Sequence, residues 1–185
     1  MPALDLYRPR AEWYSHNPYG IHGLSHAARV LVWADQLVRR LEESTVAVDG
    51  EAVRWAAALH DIGRLDDGRD RQHGERSAAW LERNYRLLPV ALDARRLSAI
   101  AYICRWHVPR DGEAPAMTVE LQCLKDADGL DRVRIFDLDA RQLRLAAAQD
   151  LVDGAWALCY DCYPIDRADP WAQVRAAAQE RGLWR

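Results

Sequence analysis

Apolar residues recur at intervals of three and four along most of this chain, which is the period of one face of an α-helix. The pattern predicts helices over about residues 26–43, 50–62, 73–85, 93–106, 118–131, 141–158 and 170–181. We expect Ser25 to cap the first helix, Asp49 to cap the second and Gly63 to end it. Strand-like alternation of apolar and polar residues is absent, so the sequence indicates an all-α fold.

Histidine and aspartate residues lie on these predicted helices or at their ends. In chain order they are His26, the adjacent pair His60 and Asp61, His73, His107 and Asp128. Neutral imidazole and carboxylate groups suit borderline first-row metals, and six such groups are enough for two ions. For a His-Asp pair alone, helix capping or a salt bridge is the favoured interpretation. The metal interpretation therefore depends on the whole set.

This order of residues resembles that of the HD superfamily of metal-dependent phosphohydrolases. The resemblance extends over about residues 21–132 and rests on His26, on His60-Asp61 and on the segment at residues 125–130. It implies an HD-type helical bundle, a metal centre and a phosphorylated substrate. We expect one domain over residues 1–185, with the motif region at about 21–132 and a helical extension at about 133–185.

The register of the last motif distinguishes between two nearby aspartates. In the family an apolar residue stands two positions after the final ligand, and Leu130 stands two positions after Asp128, so the resemblance selects Asp128 over Asp126. His73 and His107 correspond to the two additional histidines of dinuclear members. The resemblance thus implies two divalent ions, drawn from Fe, Mn, Ni, Co and Mg, with Asp61 able to bridge them.

The same resemblance suggests a reaction and three catalytic residues. A metal-bridged hydroxide, held in part by Asp61, would attack the phosphorus of an ester or anhydride. Arg64 stands where the cyclic-dinucleotide phosphodiesterase branch has Lys, and it could steady phosphate charge or only complement a helix dipole. That branch's Gly-Tyr-Pro does not follow His107, so cyclic-dinucleotide hydrolysis is not favoured. His22 could contact substrate, support a ligand or lie on the surface, and the leaving group could take its proton from His22 or from water.

Two other functions are compatible with the same ligand set. Some dinuclear HD proteins are mixed-valent di-iron oxygenases, and Tyr19, just before the first motif, could shield an open iron site there. A non-catalytic nucleotide-binding module is the third possibility. Neither can be separated from a hydrolase by ligand count alone, because histidine and carboxylate serve all three.

Composition narrows the partners and the compartment. A net charge of −3 and a pI of about 6.1 argue against general nucleic-acid binding. The partner that the resemblance implies is a nucleotide or another small phosphorylated substrate. No apolar run is long enough to cross a bilayer and no signal peptide is apparent, so no membrane association is expected. Four scattered cysteines form no disulfide-rich pattern, which favours the cytoplasm. The sequence does not indicate an oligomeric state.

Overall fold

The computed structural model describes residues 4–184, which form eight α-helices joined by loops and short 3-10 turns, with no strand among them. The helices are α1 (Leu24–Glu43), α2 (Gly50–Leu59), α3 (His73–Asn84), α4 (Ala94–Trp106), α5 (Val119–Asp131), α6 (Ala146–Gln149), α7 (Val152–Asp161) and α8 (Pro170–Glu180). The predicted all-α fold is confirmed. No helix in residues 4–184 is long and apolar enough to cross a membrane.

Helix α1 lies at the centre of the molecule. It packs against α2, α5 and α8, and its residues from Leu24 to Leu37 are buried apart from Gln36. The other main contacts join α2 to α4 and α5, and α3 to α4. Helices α1, α2 and α5 therefore pack together, and α4 links α2 to α3, so that the five helices form one bundle.

Two glycines allow α3 to approach this region closely. A Cβ atom on Gly63 would lie 2.5 Å from the backbone nitrogen of Ser77 in α3. A Cβ atom on Gly74 would lie 2.5 Å from the backbone oxygen of Cys104 in α4. Real Cβ contacts are longer than this, so each close approach requires the missing side chain. These contacts set the start of α3 beside the turn after α2 and the end of α4.

The structure corrects three of the helix predictions. Helix α2 ends at Leu59 with His60 at its C-cap, before the expected end at Gly63. Helix α1 begins at Leu24 with Gly23 at its N-cap, whereas the Ser25 hydroxyl accepts a hydrogen bond from Arg29 Nη1 at 2.6 Å. The continuous helix expected over residues 141–158 is instead a 3-10 turn followed by α6 and α7. The Asp49 cap is confirmed, because its side chain accepts a hydrogen bond from the backbone N–H of Ala52.

Candidate metal centre

The predicted ligands lie at or near the ends of five helices that converge. His26 is in the first turn of α1, His60 and Asp61 directly follow α2, and His73 is the first residue of α3. His107 directly follows α4, and Asp128 is in the last turn of α5. The structure therefore brings together all six residues from sites up to 102 positions apart in the sequence.

The four histidines form two pairs with facing nitrogen atoms. Nε2 of His26 lies 3.1 Å from Nε2 of His60, and Nε2 of His73 lies 2.9 Å from Nε2 of His107. All four side chains are almost completely buried. The two histidines of each pair are 34 positions apart and belong to different helical segments. Periodicity within a single helix therefore does not predict the pairing.

The opposite nitrogen of every ring is fixed by an oxygen acceptor. Nδ1 of His60 donates to the carbonyl of Ala57 at 2.9 Å, and Nδ1 of His26 donates to the Asp131 carboxylate at 2.7 Å. Nδ1 of His73 and Nδ1 of His107 donate to the carbonyls of Asp70 at 2.5 Å and Cys104 at 2.6 Å. Since these oxygens can only accept, the hydrogen of each neutral ring is on Nδ1 and its lone pair is on Nε2.

This arrangement fits metal ions at both pairs. Two lone pairs that face each other at about 3 Å repel unless a cation lies against both. Burial lowers the pKa of His60, and burial together with neighbouring His73 and His60 lowers the pKa of His107 well below its usual range. Both rings are therefore neutral near pH 7, which is the form that binds a metal.

Asp61 lies between the two histidine pairs. Its Oδ2 atom is 3.4 Å from Nε2 of His26 and 3.7 Å from Nε2 of His60, whereas its Oδ1 atom is 3.0 Å from Nε2 of His73 and 3.9 Å from Nε2 of His107. Oδ1 is buried with no hydrogen-bond partner in residues 4–184. One carboxylate oxygen thus faces each pair.

Asp126 and Asp128 have different surroundings. Oδ1 of Asp128 is 3.5 Å from Nε2 of His26, and ligand atoms of His26, His60 and Asp128 all lie within 4.8 Å of one another. The fully buried Asp126 carboxylate accepts hydrogen bonds from the backbone N–H groups of residues 144 and 145 and from the Arg144 side chain. Asp128 is therefore placed to bind an ion, whereas Asp126 connects α5 to the C-terminal part of the chain.

A buried ion pair between Arg29 and Asp131 lies on the Nδ1 side of the His26 ring. The Asp131 carboxylate that accepts from His26 also binds Arg29, with Nε to Oδ1 at 2.5 Å and Nη2 to Oδ2 at 3.0 Å. Burial would raise the pKa of Asp131, but Arg29 and His26 lower it, so the group stays ionised. An ionised acceptor fixes the orientation of the His26 ring and makes Nε2 a better ligand.

Arg64 and His22 also reach this region. Nε of Arg64 is 3.1 Å from Oδ2 of Asp61, and Nη1 donates to the Gly68 carbonyl. Nδ1 of His22 lies 3.1 Å from Oδ1 of Asp67, a partner that the sequence did not reveal because Asp67 is in a loop without periodicity. Burial lowers the pKa of His22 to about 4, so its ring is neutral near pH 7.

Tyr19, the residue that could have shielded an open iron site, does not lie over the candidate ligands. Its side chain is 43% exposed and lines a separate surface depression with Arg8 and Pro170. A hydrogen bond from its backbone N–H to Oδ1 of Asn17 turns the chain at this point. The feature that kept an open iron site under consideration is therefore absent from the described structure.

A cavity of about 1010 Å³ opens over the candidate ligands. Its lining includes Asp61, His73, His107 and Asp128, together with His22 and Arg64. A volume of this size admits a molecule as large as a nucleotide. The histidine pairs are thus accessible to a small-molecule substrate.

The HD domain family matches residues 23–133, which is more than half of the chain, and the protein therefore belongs to this family. Members of the HD family are in general metal-dependent hydrolases. No curated protein and no solved structure matches the chain. The family, the helical fold and the groups that could hold a metal are thus all consistent with a metal-binding HD domain. None of the comparisons identifies a substrate.

Proposed function

We propose that this protein is a phosphohydrolase that uses two divalent ions to cleave an ester or anhydride of a small phosphorylated molecule. The observation that carries the proposal is the Asp61 carboxylate, which presents one oxygen to each pair of facing imidazoles. His26, His60, Asp61 and Asp128 would hold one ion. His73, His107 and the second oxygen of Asp61 would hold the other.

The ions would lower the pKa of a water molecule and would offset the negative charge of the reacting phosphoryl group. The protein's own groups have complementary tasks. Arg64, which lies against Asp61 and on the cavity wall, would offset negative charge that develops on the phosphoryl oxygens. His22, whose Nδ1 faces Asp67, would present its other nitrogen as an acceptor that orients a water or a substrate hydroxyl. A neutral His22 of this tautomer does not donate from that nitrogen, so we assign the leaving group's proton to solvent.

Metal content tests the proposed ligand set. The purified protein, loaded with Mn²⁺ and desalted, should contain close to two ions per chain by elemental analysis, because two histidine pairs share one carboxylate. His73→Ala should retain about one ion, because the site formed by His26 and His60 is left intact. Equal content in the wild-type protein and in His73→Ala would argue against a second site.

A pair of aspartate variants separates ligand binding from structural support. Asp128→Asn should weaken Mn²⁺ binding by more than tenfold and leave the melting temperature of the metal-free protein nearly unchanged, because this side chain makes no hydrogen bond in residues 4–184 and its one close ionic contact there is with His26. Asp126→Asn should keep two ions and lower the melting temperature, because its amide NH₂ would face the N–H donors at residues 144 and 145. Calorimetric titration and thermal melts measure both quantities. The reverse ranking would transfer the ligand role to Asp126.

A further inference from the structure

The cations that line the cavity fall into two groups. Five of them have an acidic partner within 4.0 Å, namely Arg64, Lys125, Arg132, Arg134 and Arg144. The guanidinium groups of Arg69, Arg71 and Arg110 make no hydrogen bond or ion pair with any residue from 4 to 184. All three are exposed, and they are the arginines of this cavity whose charge no acidic group in residues 4–184 offsets, so they can bind an anion that enters it.

These three residues, the rim arginines, lie close to the second histidine pair. Arg69 and Arg71 are in the loop that leads into His73, and Arg110 is three residues after His107. Since a chain extends at most about 3.6 Å per residue, the Cα atom of Arg71 lies within about 7 Å of that of His73, and the Cα atom of Arg110 lies within about 11 Å of that of His107. The rim arginines therefore line the cavity near the second histidine pair, and they belong to two different loops.

The volume and the lining of the cavity also favour a substrate larger than inorganic phosphate. Its volume of about 1010 Å³ is at the upper end of the range for small-molecule sites. Ile135, Leu138 and Leu143 contribute apolar side chains to its wall. A substrate that fills the cavity would place an organic body against these residues and a polar end at the rim.

We propose that the rim arginines bind a second anionic group of the substrate, separate from the phosphoryl group that reacts. The substrate class is a small molecule with two separated phosphate groups, such as a nucleoside or sugar bisphosphate. Guanidinium groups bind phosphate oxygens through paired, charge-assisted hydrogen bonds, and they keep their charge at every physiological pH. This inference relies on the proposed function for the position of the reacting phosphate, but binding at the rim requires no turnover.

Matched ligands test the inference directly. Adenosine 3′,5′-bisphosphate is compared with adenosine 5′-monophosphate, and fructose 1,6-bisphosphate with fructose 6-phosphate, by calorimetric titration of the metal-free protein and by KM with Mn²⁺. The bisphosphate of at least one pair should bind about tenfold or more tightly than its monophosphate, because it gains contacts with more than one arginine. Each of Arg69→Gln, Arg71→Gln and Arg110→Gln should reduce this preference by about threefold to tenfold, and the triple variant should abolish it.

The controls are Arg83→Gln and Arg95→Gln, which remove exposed arginines that line no part of the cavity. Both should keep the full preference for the bisphosphate. The inference would be overturned if neither bisphosphate binds better than its monophosphate, or if the triple variant keeps the preference. A preference without hydrolysis in any metal would support the rim site and count against the proposed function. Hydrolysis of the monophosphates without any preference for the bisphosphates would support the proposed function and count against the rim site.

Discussion

Asp61→Ala is expected to lower the turnover of a phosphorylated substrate by about 10⁴-fold or more and to leave at most one ion per chain. The substitution removes a ligand from each histidine pair at once, because each oxygen of the carboxylate faces a different pair. Loss of one stabilising contact at a reacting group costs about 10²–10³ in rate, and here the two ions lose their shared anchor as well. The measurements are kcat with saturating Mn²⁺ and metal content after desalting.

Arg64→Ala provides the matched comparison for this variant. It removes a single charge next to Asp61 and should cost about 10²–10³ in rate while both ions remain bound. Far-UV circular dichroism of both variants should match that of the wild-type protein. An Asp61→Ala variant that still binds two ions, or an Arg64→Ala variant that is the more severely impaired of the two, would contradict the proposed role of Asp61 as the bridge.

Arg29→Met is expected to lower the free energy of unfolding by about 3–5 kcal/mol, because it leaves the fully buried Asp131 carboxylate without its main cationic partner. The double variant Arg29→Met/Asp131→Leu should recover most of that stability, because an apolar pair of similar volume can replace a buried ion pair. Urea unfolding of the metal-free proteins measures both effects.

The same double variant should bind Mn²⁺ more weakly than the wild-type protein, although its stability is restored. Without Asp131, Nδ1 of His26 loses its acceptor at 2.7 Å, so the ring is no longer held with Nε2 toward the centre. Loss of such a partner typically weakens metal binding by about 10–100-fold. Full Mn²⁺ affinity in the double variant would show that Asp131 stabilises the fold without positioning His26. If the double variant is as unstable as Arg29→Met, the ion pair is not the source of the loss.

The sequence predicted the all-α fold from local helical periodicity, whereas the set of six candidate ligands came from the resemblance to the HD family. Helical periodicity gave six helices approximately, α1 to α5 and α8, and the family register around Leu130 selected Asp128 over Asp126. The sequence could not show which histidines face each other, since the pairs depend on how α1 to α4 pack. The close approaches at Gly63 and Gly74 that allow this packing are visible only in three dimensions.

The main error, over residues 141–158, has a tertiary cause. The Asp126 carboxylate in α5 accepts hydrogen bonds from the backbone N–H groups of residues 144 and 145. These hydrogen bonds hold the chain in an extended conformation at a point where the local pattern predicted a helix. The partners Asp67 and the rim arginines were missed for a related reason. They lie in loops, where hydrophobic periodicity carries no information about which side chains face the cavity.

The origin of the oxygen atom added to the product tests the central claim most directly. The metal-loaded protein is incubated with a phosphorylated substrate in ¹⁸O-labelled water under strictly anaerobic conditions, and the released phosphate is analysed by mass spectrometry. Hydrolysis at phosphorus predicts full turnover without oxygen and one ¹⁸O atom in each phosphate. Turnover that stops without oxygen, or phosphate that carries no solvent oxygen, would contradict the phosphohydrolase account and favour an oxygenase at the same centre.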